Sequence, residues 1–150
     1  MAQQSLKASP LLDPLNSWGR QYSDLIILIG RILVASVFVL TAWGGNPTAG
    51  FLKSLNYSAP DFWSIVAVVV EWIIGLSIIL GIATRYGALL GLAYVVVAVV
   101  SAHLYWRYPA QQQTLQYVFF TKDVAIFGAL VLLLATGGGR YSLDARWLKE

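Results

Sequence analysis

The 150-residue chain is 58% hydrophobic and only 11% charged, whereas about a quarter of the residues in a soluble domain are charged, so its composition is that of an integral membrane protein. It has no cysteine and one histidine, which excludes disulfides, thiolate metal sites, thiol redox chemistry and a bis-histidine haem within one chain. Its net charge of +3 is spread without a basic run, so we expect no nucleic-acid partner. We also expect no metal site, because the chain has no cysteine and no second histidine to act as a ligand.

The first 22 residues are polar, contain Pro10 and Pro14, and lack the compact apolar run of a signal peptide. They are predicted to be a lead-in that lies outside the membrane or at its surface. The first apolar stretch then runs from about Leu25 to Trp43 and carries one charge, Arg31. This stretch predicts a transmembrane helix.

The second apolar stretch runs from Phe62 to Gly81. As a helix of about 20 residues it would be about 30 Å long, which matches the hydrocarbon core of a bilayer. Glu71 lies at its centre and is its only charge. A charged side chain at the bilayer centre costs about 2.5–3.5 kcal/mol on insertion scales, so Glu71 requires a partner or a function.

The third apolar stretch runs from about Tyr86 to Tyr105. One face of the predicted helix carries Gly87, Gly91 and Tyr94, while His103 falls on the opposite face. A regular helix cannot turn both faces toward the same charges. We therefore expect either that the helix distorts near its end or that His103 serves the outer interface or another subunit.

The fourth apolar stretch admits two interpretations. The uncharged segment from Val124 to Thr136 would form a helix only about 20 Å long, too short to cross a bilayer alone. Extension back to Tyr117 gives a full span but places Lys122 and Asp123 in the membrane. The alternative is a helix that begins at Lys122 in a thinned or protein-lined region.

These stretches predict an all-α protein whose residues 23–137 form a four-transmembrane-helix bundle, with a lead-in of residues 1–22 and a tail of residues 138–150. Lys and Arg are more frequent on the side that carries both termini, so the positive-inside rule places both termini in the cytoplasm. A tight turn over residues 82–85 makes the second and third spans antiparallel neighbours. The Gly44–Asp61 loop is long enough to hold a short re-entrant or interfacial segment.

The intramembrane charges are predicted to meet inside the bundle. At 1.5 Å per residue, the depths of Arg31 and Glu71 differ by about 6 Å, which an arginine side chain can bridge, so an Arg31–Glu71 pair is predicted, with Lys122 as a second possible partner. Helical spacing also places each charge on a stripe of small residues that would permit close helix approach. These stripes are Arg31, Ala35 and Ala42; Ser64, Ala67, Glu71 and Gly75; and Lys122, Ala125, Ala129 and Thr136.

Each charged group has a structural and a functional interpretation. The Arg31–Glu71 pair either fixes helix register or forms a proton-handling or ligand-binding site. Lys122 and Asp123 are either a snorkelling pair near the outer interface or part of that site. His103 is either an interfacial hydrogen-bonding residue or a member of the site.

Several short motifs follow one another at characteristic spacing: Gly30–Arg31, Glu71–Gly75, the turn with Gly81, Thr84 and Arg85, then His103, Lys122 and the exit Gly139–Asp144. In this order they resemble the DoxX family of small four-helix membrane proteins, over Ile29 to Asp144. The chain departs from the family where Asn46 replaces a frequent lysine and Asp123 a frequent asparagine.

The resemblance implies a multi-pass protein of a bacterial-type inner membrane. Some DoxX relatives are associated with oxidoreductase complexes, including a thiosulfate:quinone oxidoreductase subunit and a partner of oxidative-stress enzymes. Our leading hypothesis is therefore a membrane subunit of a quinone-linked oxidoreductase or redox-stress system. No cofactor or electron source is encoded, so a soluble or membrane oxidoreductase partner would supply electrons, and a homo-oligomer is left open.

In this hypothesis a quinone-like or other amphipathic ligand binds beside Arg31, Glu71 and Lys122, with Asp123 and His103 as further candidates. Arg31 and Lys122 would donate hydrogen bonds to a ligand oxygen, and Glu71 would take or supply the proton that accompanies electron transfer. One alternative is a non-catalytic scaffold or assembly partner. Another is an amphipathic-ligand carrier, although the sequence shows neither the inverted repeat nor the broken-helix pair typical of transporters.

Overall fold

A computed structural model describes residues 13–44 and 47–147, and every regular element within them is helical. The lead-in contains a helix, α1, while residues 1–12, like residues 148–150, lie outside the described part. The elements are α1 Asp13–Gln21, α2 Ser23–Trp43, α3 Pro47–Ser54, α4 Pro60–Leu80, α5 Thr84–Ala102, a 3-10 turn Tyr105–Arg107, α6 Ala110–Thr136 and α7 Leu143–Trp147.

Four of these helices, α2, α4, α5 and α6, are long and apolar enough to cross a bilayer. The predicted all-α fold with four candidate spans is therefore confirmed. The fourth helix has 27 residues and begins at Ala110, so a continuous span is correct and a helix start at Lys122 is wrong. At 1.5 Å per residue α6 is about 40 Å long, and its glutamine-rich first turns extend beyond a hydrocarbon core.

The bundle is built from pairs of neighbouring helices. Helix α2 packs on α4, α4 on α5, and α5 on α6, and a smaller contact between α2 and α6 completes the arrangement. Large apolar side chains on the outer faces are exposed, as expected of a surface that faces lipid. The apolar core includes Ala35, Phe38, Ile74, Ile78, Ala88, Val95, Leu130 and Leu133.

The predicted tight turn joins α4 to α5. Gly81 takes a left-handed conformation with φ of 70°, and the N–H groups of Gly81 and Ile82 both donate to the Ser77 carbonyl, at 2.9 and 3.0 Å. This pattern satisfies the Ser77 carbonyl in the last turn of α4, and the left-handed Gly81 stops the helix. Spans two and three are therefore antiparallel neighbours.

The segment after α6 folds back onto this turn and onto the start of α2. The Arg140 N–H donates to Asp24 at 3.1 Å, and the Asp144 N–H donates to the Gly81 carbonyl at 2.9 Å. We call this end of the bundle the tail end and the opposite end, which carries α3 and the 3-10 turn, the loop end. Both ends of the described chain lie at the tail end, and their cytoplasmic orientation stays a prediction.

The Gly44–Asp61 loop contains the short helix α3, which packs on α4. Lys53 forms an exposed ion pair with Asp61 at 3.0 Å. The Phe51 ring stacks on the His103 ring with a centroid distance of 6.0 Å. The loop is thus folded against the loop end of the bundle.

The glycine-bearing face of α4 points inward as predicted, and in α5 the face that carries glycine also points inward, since Gly75, Gly87 and Gly91 are all buried. Gly87 lies against Ser77 and Gly91 against Leu130. Small residues at these positions let the helices approach closely in a membrane, where packing and hydrogen bonding drive association.

We expect Gly75→Ala to lower the free energy of unfolding by about 1 kcal/mol, because overpacking a helix interface is destabilising. A methyl group on Gly75 would meet the Val39 side chain across the α2–α4 interface, and a β-branched residue has few alternative rotamers in a helix. Gly30→Ala is the matched control, since a methyl group there would meet nothing within 4 Å beyond its own helix backbone and neighbouring residues. Thermal unfolding in detergent checks this, and equal Tm values for both variants would contradict close packing at Gly75.

Candidate functional site

Glu71 is buried at the middle of the bundle, with 4% of its surface exposed. Its Oε1 accepts a 2.6 Å hydrogen bond from the Tyr94 hydroxyl of α5, and the Phe38 ring of α2 packs edge-on against the Tyr94 ring. Within residues 13–44 and 47–147, no cationic side chain forms an ion pair with Glu71. The partner is therefore a phenol. The only hint of it in the sequence was the position of Tyr94 on the glycine face of the third span.

The predicted pair between Arg31 and Glu71 is wrong. The guanidinium of Arg31, a residue only 3% exposed, donates instead to the carbonyls of Gly138 at 2.9 Å and Tyr141 at 2.6 Å. Helical side chains lean toward the N-terminus of their own helix. Because α2 and α4 are antiparallel, Arg31 leans toward the tail end and Glu71 toward the loop end, so the two side chains diverge.

Asp144 holds the start of α5 from the far end of the chain. Its carboxylate accepts hydrogen bonds from the Ala83 N–H at 2.7 Å, the Thr84 N–H at 2.9 Å and the Thr84 hydroxyl at 3.0 Å. Burial alone would raise the pKa of Asp144, but these hydrogen bonds and the charge of Arg31 outweigh it and lower the pKa. We call the group Arg31, Gly81, Thr84, Gly138 and Asp144 the tail lock.

In α6 the buried residue is Asp123, and Lys122 is exposed. The predicted inward stripe of α6 is wrong, because Lys122, Ala125 and Thr136 are exposed. Lys122 leans over the Phe119 ring, 5.2 Å from its centroid, and lies 3.8 Å from Asp123. This geometry matches the snorkelling alternative for Lys122. The spacing of the large apolar residues determines which face of α6 points inward. The buried residues of this face are Gln116, Asp123, Ile126, Leu130 and Leu133.

Asp123 is the second buried carboxyl group of the spanning helices, with 7% of its surface exposed. Its Oδ2 is buried and has no hydrogen-bond partner. The carboxylate is close enough to interact electrostatically with His103 and Tyr94 as well as with Lys122. Beside it, an apolar groove of about 210 Å³ opens between α5 and α6, lined by Val95, Val96, Val99, Val100, Asp123, Val124 and Phe127.

His103 lies at the loop end, directly after the last residue of α5. Its Nδ1 is 2.9 Å from Oε1 of Gln116, and this nitrogen donates when it carries the proton. The ring also contacts Phe51 and Phe119. The helix therefore ends before His103 and does not distort, and His103 has partners within the chain. The sequence does not single out Gln116, because this residue lies in a polar, glutamine-rich stretch before the fourth apolar segment.

Residues 26–104 match the family described as DoxX. The chain belongs to the DoxX family. It is 34% identical over 126 aligned residues to the inner membrane protein YphA of Escherichia coli K12, and the match covers 81% of this chain and 90% of YphA. It is 26% identical to the inner membrane protein YqjF of the same organism over 129 residues, 83% of this chain and 94% of YqjF. No solved structure is significantly similar.

This DoxX protein is a multi-pass inner-membrane protein, as its relatives and its four candidate spans show. Its polar residues form two groups of different character. The tail lock is held by hydrogen bonds between distant parts of the same chain, although the Arg31 Nε is buried with no partner. Glu71 and Asp123, by contrast, are buried acids that have neither an arginine partner nor a full set of hydrogen bonds.

Proposed function

We propose that this DoxX protein is the membrane subunit of a quinone-linked oxidoreductase or redox-stress system, and that its bundle exchanges protons with a quinone-like ligand. The Glu71–Tyr94 pair is the observation that carries the proposal. A carboxyl group bonded to a phenol at 2.6 Å and shielded from solvent can accept or release a proton where bulk water is absent. Intramembrane ionisable groups commonly mark such sites.

The groove between α5 and α6 is the ligand position that the geometry favours. Its apolar wall suits a ring face or an isoprenoid chain, and it faces the lipid, from which a quinone would enter. Lys122, exposed beside Asp123, can donate a hydrogen bond to a carbonyl oxygen of the ligand. Arg31 is not part of the proposed site, because its guanidinium donates hydrogen bonds to backbone carbonyls of the tail.

The proposed chemistry needs a second protein. Reduction of a quinone to a quinol takes two electrons and two protons. In the proposal an oxidoreductase partner supplies the electrons, while Glu71, Tyr94 and Asp123 hold the protons close to the ligand. The chain's own contribution is binding, orientation and proton supply.

Glu71→Gln should lower quinone-dependent turnover by about 10²-fold or more, the usual effect of losing a general acid or base, and should weaken quinone retention during purification. The protein is isolated from its native membranes with its partners, and quinone is quantified by mass spectrometry. Asp61→Asn is the matched control, because Asp61 is exposed and paired with Lys53 at the loop end. Unchanged turnover and quinone content in Glu71→Gln would contradict the proposal.

The tail lock supports a second candidate function, that of a non-catalytic scaffold for another membrane protein. The motif residues that carry the family resemblance at Arg31, Gly81, Thr84 and Asp144 all contact one another or the tail backbone, so they serve the fold. On this alternative Glu71→Gln reduces the yield of folded protein, and the folded fraction keeps its partners. The same purification therefore separates the two functions.

A further inference from the structure

Ionisable and polar side chains follow one another from the loop end to the centre of the bundle. His103 and Gln116 are paired at 2.9 Å at the loop end, and Tyr94 and Glu71 are paired at 2.6 Å at the centre. Asp123 lies between these two pairs. Glu71 belongs to α4, Tyr94 to α5, and Gln116 and Asp123 to α6, while His103 directly follows α5.

The packing of α5 against α6 fixes the depth of Asp123. It shares a groove wall with Val95 and Val99 of α5. Tyr94 precedes Val95 in the chain, and the His103 N–H donates to the Val99 carbonyl, so Asp123 lies deeper than His103 and about level with the turn that follows Tyr94. On α6 itself, Gln116 shares the buried face and lies about 10 Å closer to the loop end at 1.5 Å per residue.

The hydrogen bonding of Asp123 is incomplete in a way that suits transient occupation by a proton. Lys122 approaches only Oδ1, from the exposed side, at 3.8 Å. Oδ2 is buried with no donor, an arrangement that disfavours the charged carboxylate and is relieved when the oxygen binds a proton or a water. The ionisable groups close enough to interact electrostatically with Asp123 are Lys122 on its own helix and Tyr94 and His103 on the α5 side.

We propose that Asp123 relays protons between the loop end and Glu71. Asp123 first takes a proton that enters from the aqueous phase at the loop end, past His103 and Gln116, and becomes a neutral acid. It then passes this proton to the Tyr94 oxygen while the Tyr94 hydroxyl proton moves to Glu71. Asp123 returns to the carboxylate, Glu71 becomes the acid and Tyr94 is unchanged, so one proton has moved inward.

The two halves of the relay differ in geometry. The Tyr94–Glu71 step uses an existing hydrogen bond. In the described part of the chain, Asp123 is hydrogen-bonded neither to Tyr94 nor to His103, so the proton crosses both gaps on water molecules or after rotation of the Asp123 carboxyl. The relay deepens the proposed function, which uses the proton, but it can be tested without a quinone.

Hydrogen–deuterium exchange at Glu71, followed by infrared spectroscopy of its carboxylic C=O band in the purified full chain, tests the relay. The band is assigned by its loss in Glu71→Gln. Asp123→Asn and Tyr94→Phe should each slow the exchange by at least about tenfold, as expected when a proton-transfer group is removed. Asp61→Asn should exchange at the wild-type rate.

An unchanged exchange rate in Asp123→Asn, or the absence of a Glu71 carboxylic band over the accessible pH range, would overturn the relay. Should Asp123→Asn fail to fold, His103→Phe keeps the ring contacts with Phe51 and Phe119 but removes the ring nitrogen, and it must slow the exchange in the same way. If exchange is slowed in Asp123→Asn but quinone turnover is normal in Glu71→Gln, only the proposed function is contradicted. If exchange is normal in Asp123→Asn but quinone turnover is lost in Glu71→Gln, only the relay is contradicted.

Discussion

Arg31→Met should lower the free energy of unfolding by about 3–5 kcal/mol, since hydrogen bonds to a charged group contribute about 1.5–3 kcal/mol each and a broken buried pair leaves its partners unsatisfied. The guanidinium donates to the carbonyls of Gly138 and Tyr141, and methionine is apolar and unable to donate. Both carbonyls would lose their donor at the tail end. Chemical or thermal unfolding in detergent measures the loss, and faster tryptic cleavage after Arg140 should accompany it, because the tail is no longer held.

Two further variants separate the hydrogen bonds from the charge. Arg31→Lys keeps the charge but presents a single ammonium group in place of the planar fork, so we expect an intermediate loss. Arg85→Met is the matched control, because Arg85 is exposed and makes one long hydrogen bond of 3.3 Å to the Ala135 carbonyl; it should change stability by at most about 0.5 kcal/mol. If Arg31→Met were as stable as Arg85→Met, the tail lock would not stabilise the bundle.

The parts of the fold that depend on local pattern were predictable from the sequence. Span length, the α4–α5 turn and the inward face of α4, with Ser64, Glu71 and Gly75, follow from hydropathy, a glycine at the helix end and helical period. The start of α6 was ambiguous because the hydropathy pattern, on which the prediction of spans depends, is interrupted there. Charges at Lys122 and Asp123 interrupt the apolar run, whereas in the structure the helix continues through them and packs against α5.

The partners of the charged residues were harder to predict, for two physical reasons. Depth arithmetic on Cα positions ignores side-chain direction, which is opposite in antiparallel helices, and this separates Arg31 from Glu71. In addition, the acceptors of Arg31 are backbone carbonyls of the tail, and residue types do not distinguish one carbonyl from another. Adjacent residues such as Lys122 and Asp123 cannot both face the core, and tertiary packing selected the carboxylate.

Asp144→Ala should lower the free energy of unfolding by about 2–3 kcal/mol, which is the upper range for loss of a helix N-cap together with part of a charge-assisted hydrogen bond. The variant leaves the Ala83 and Thr84 N–H groups at the start of α5 without their acceptor and removes a negative charge that interacts with Arg31. Asp144→Asn should lose less, because its amide oxygen can still accept one of these bonds. The difference in unfolding free energy from wild type is measured at neutral pH.

The pH dependence of that difference identifies the carboxylate as its source. The pKa of Asp144 is lowered in the folded protein, so its contribution is fully present above the ordinary aspartate pKa of about 3.9 and is lost as the pH falls through the lower folded value. Wild type and Asp144→Ala should therefore begin to converge in Tm as the pH falls below about 4 and should continue to converge down to the folded pKa, whereas an exposed control, Asp61→Asn, should stay close to wild type throughout. A gap between wild type and Asp144→Ala that persists undiminished at pH well below the folded value would mean that packing, and not the ionised cap, holds the tail against α5.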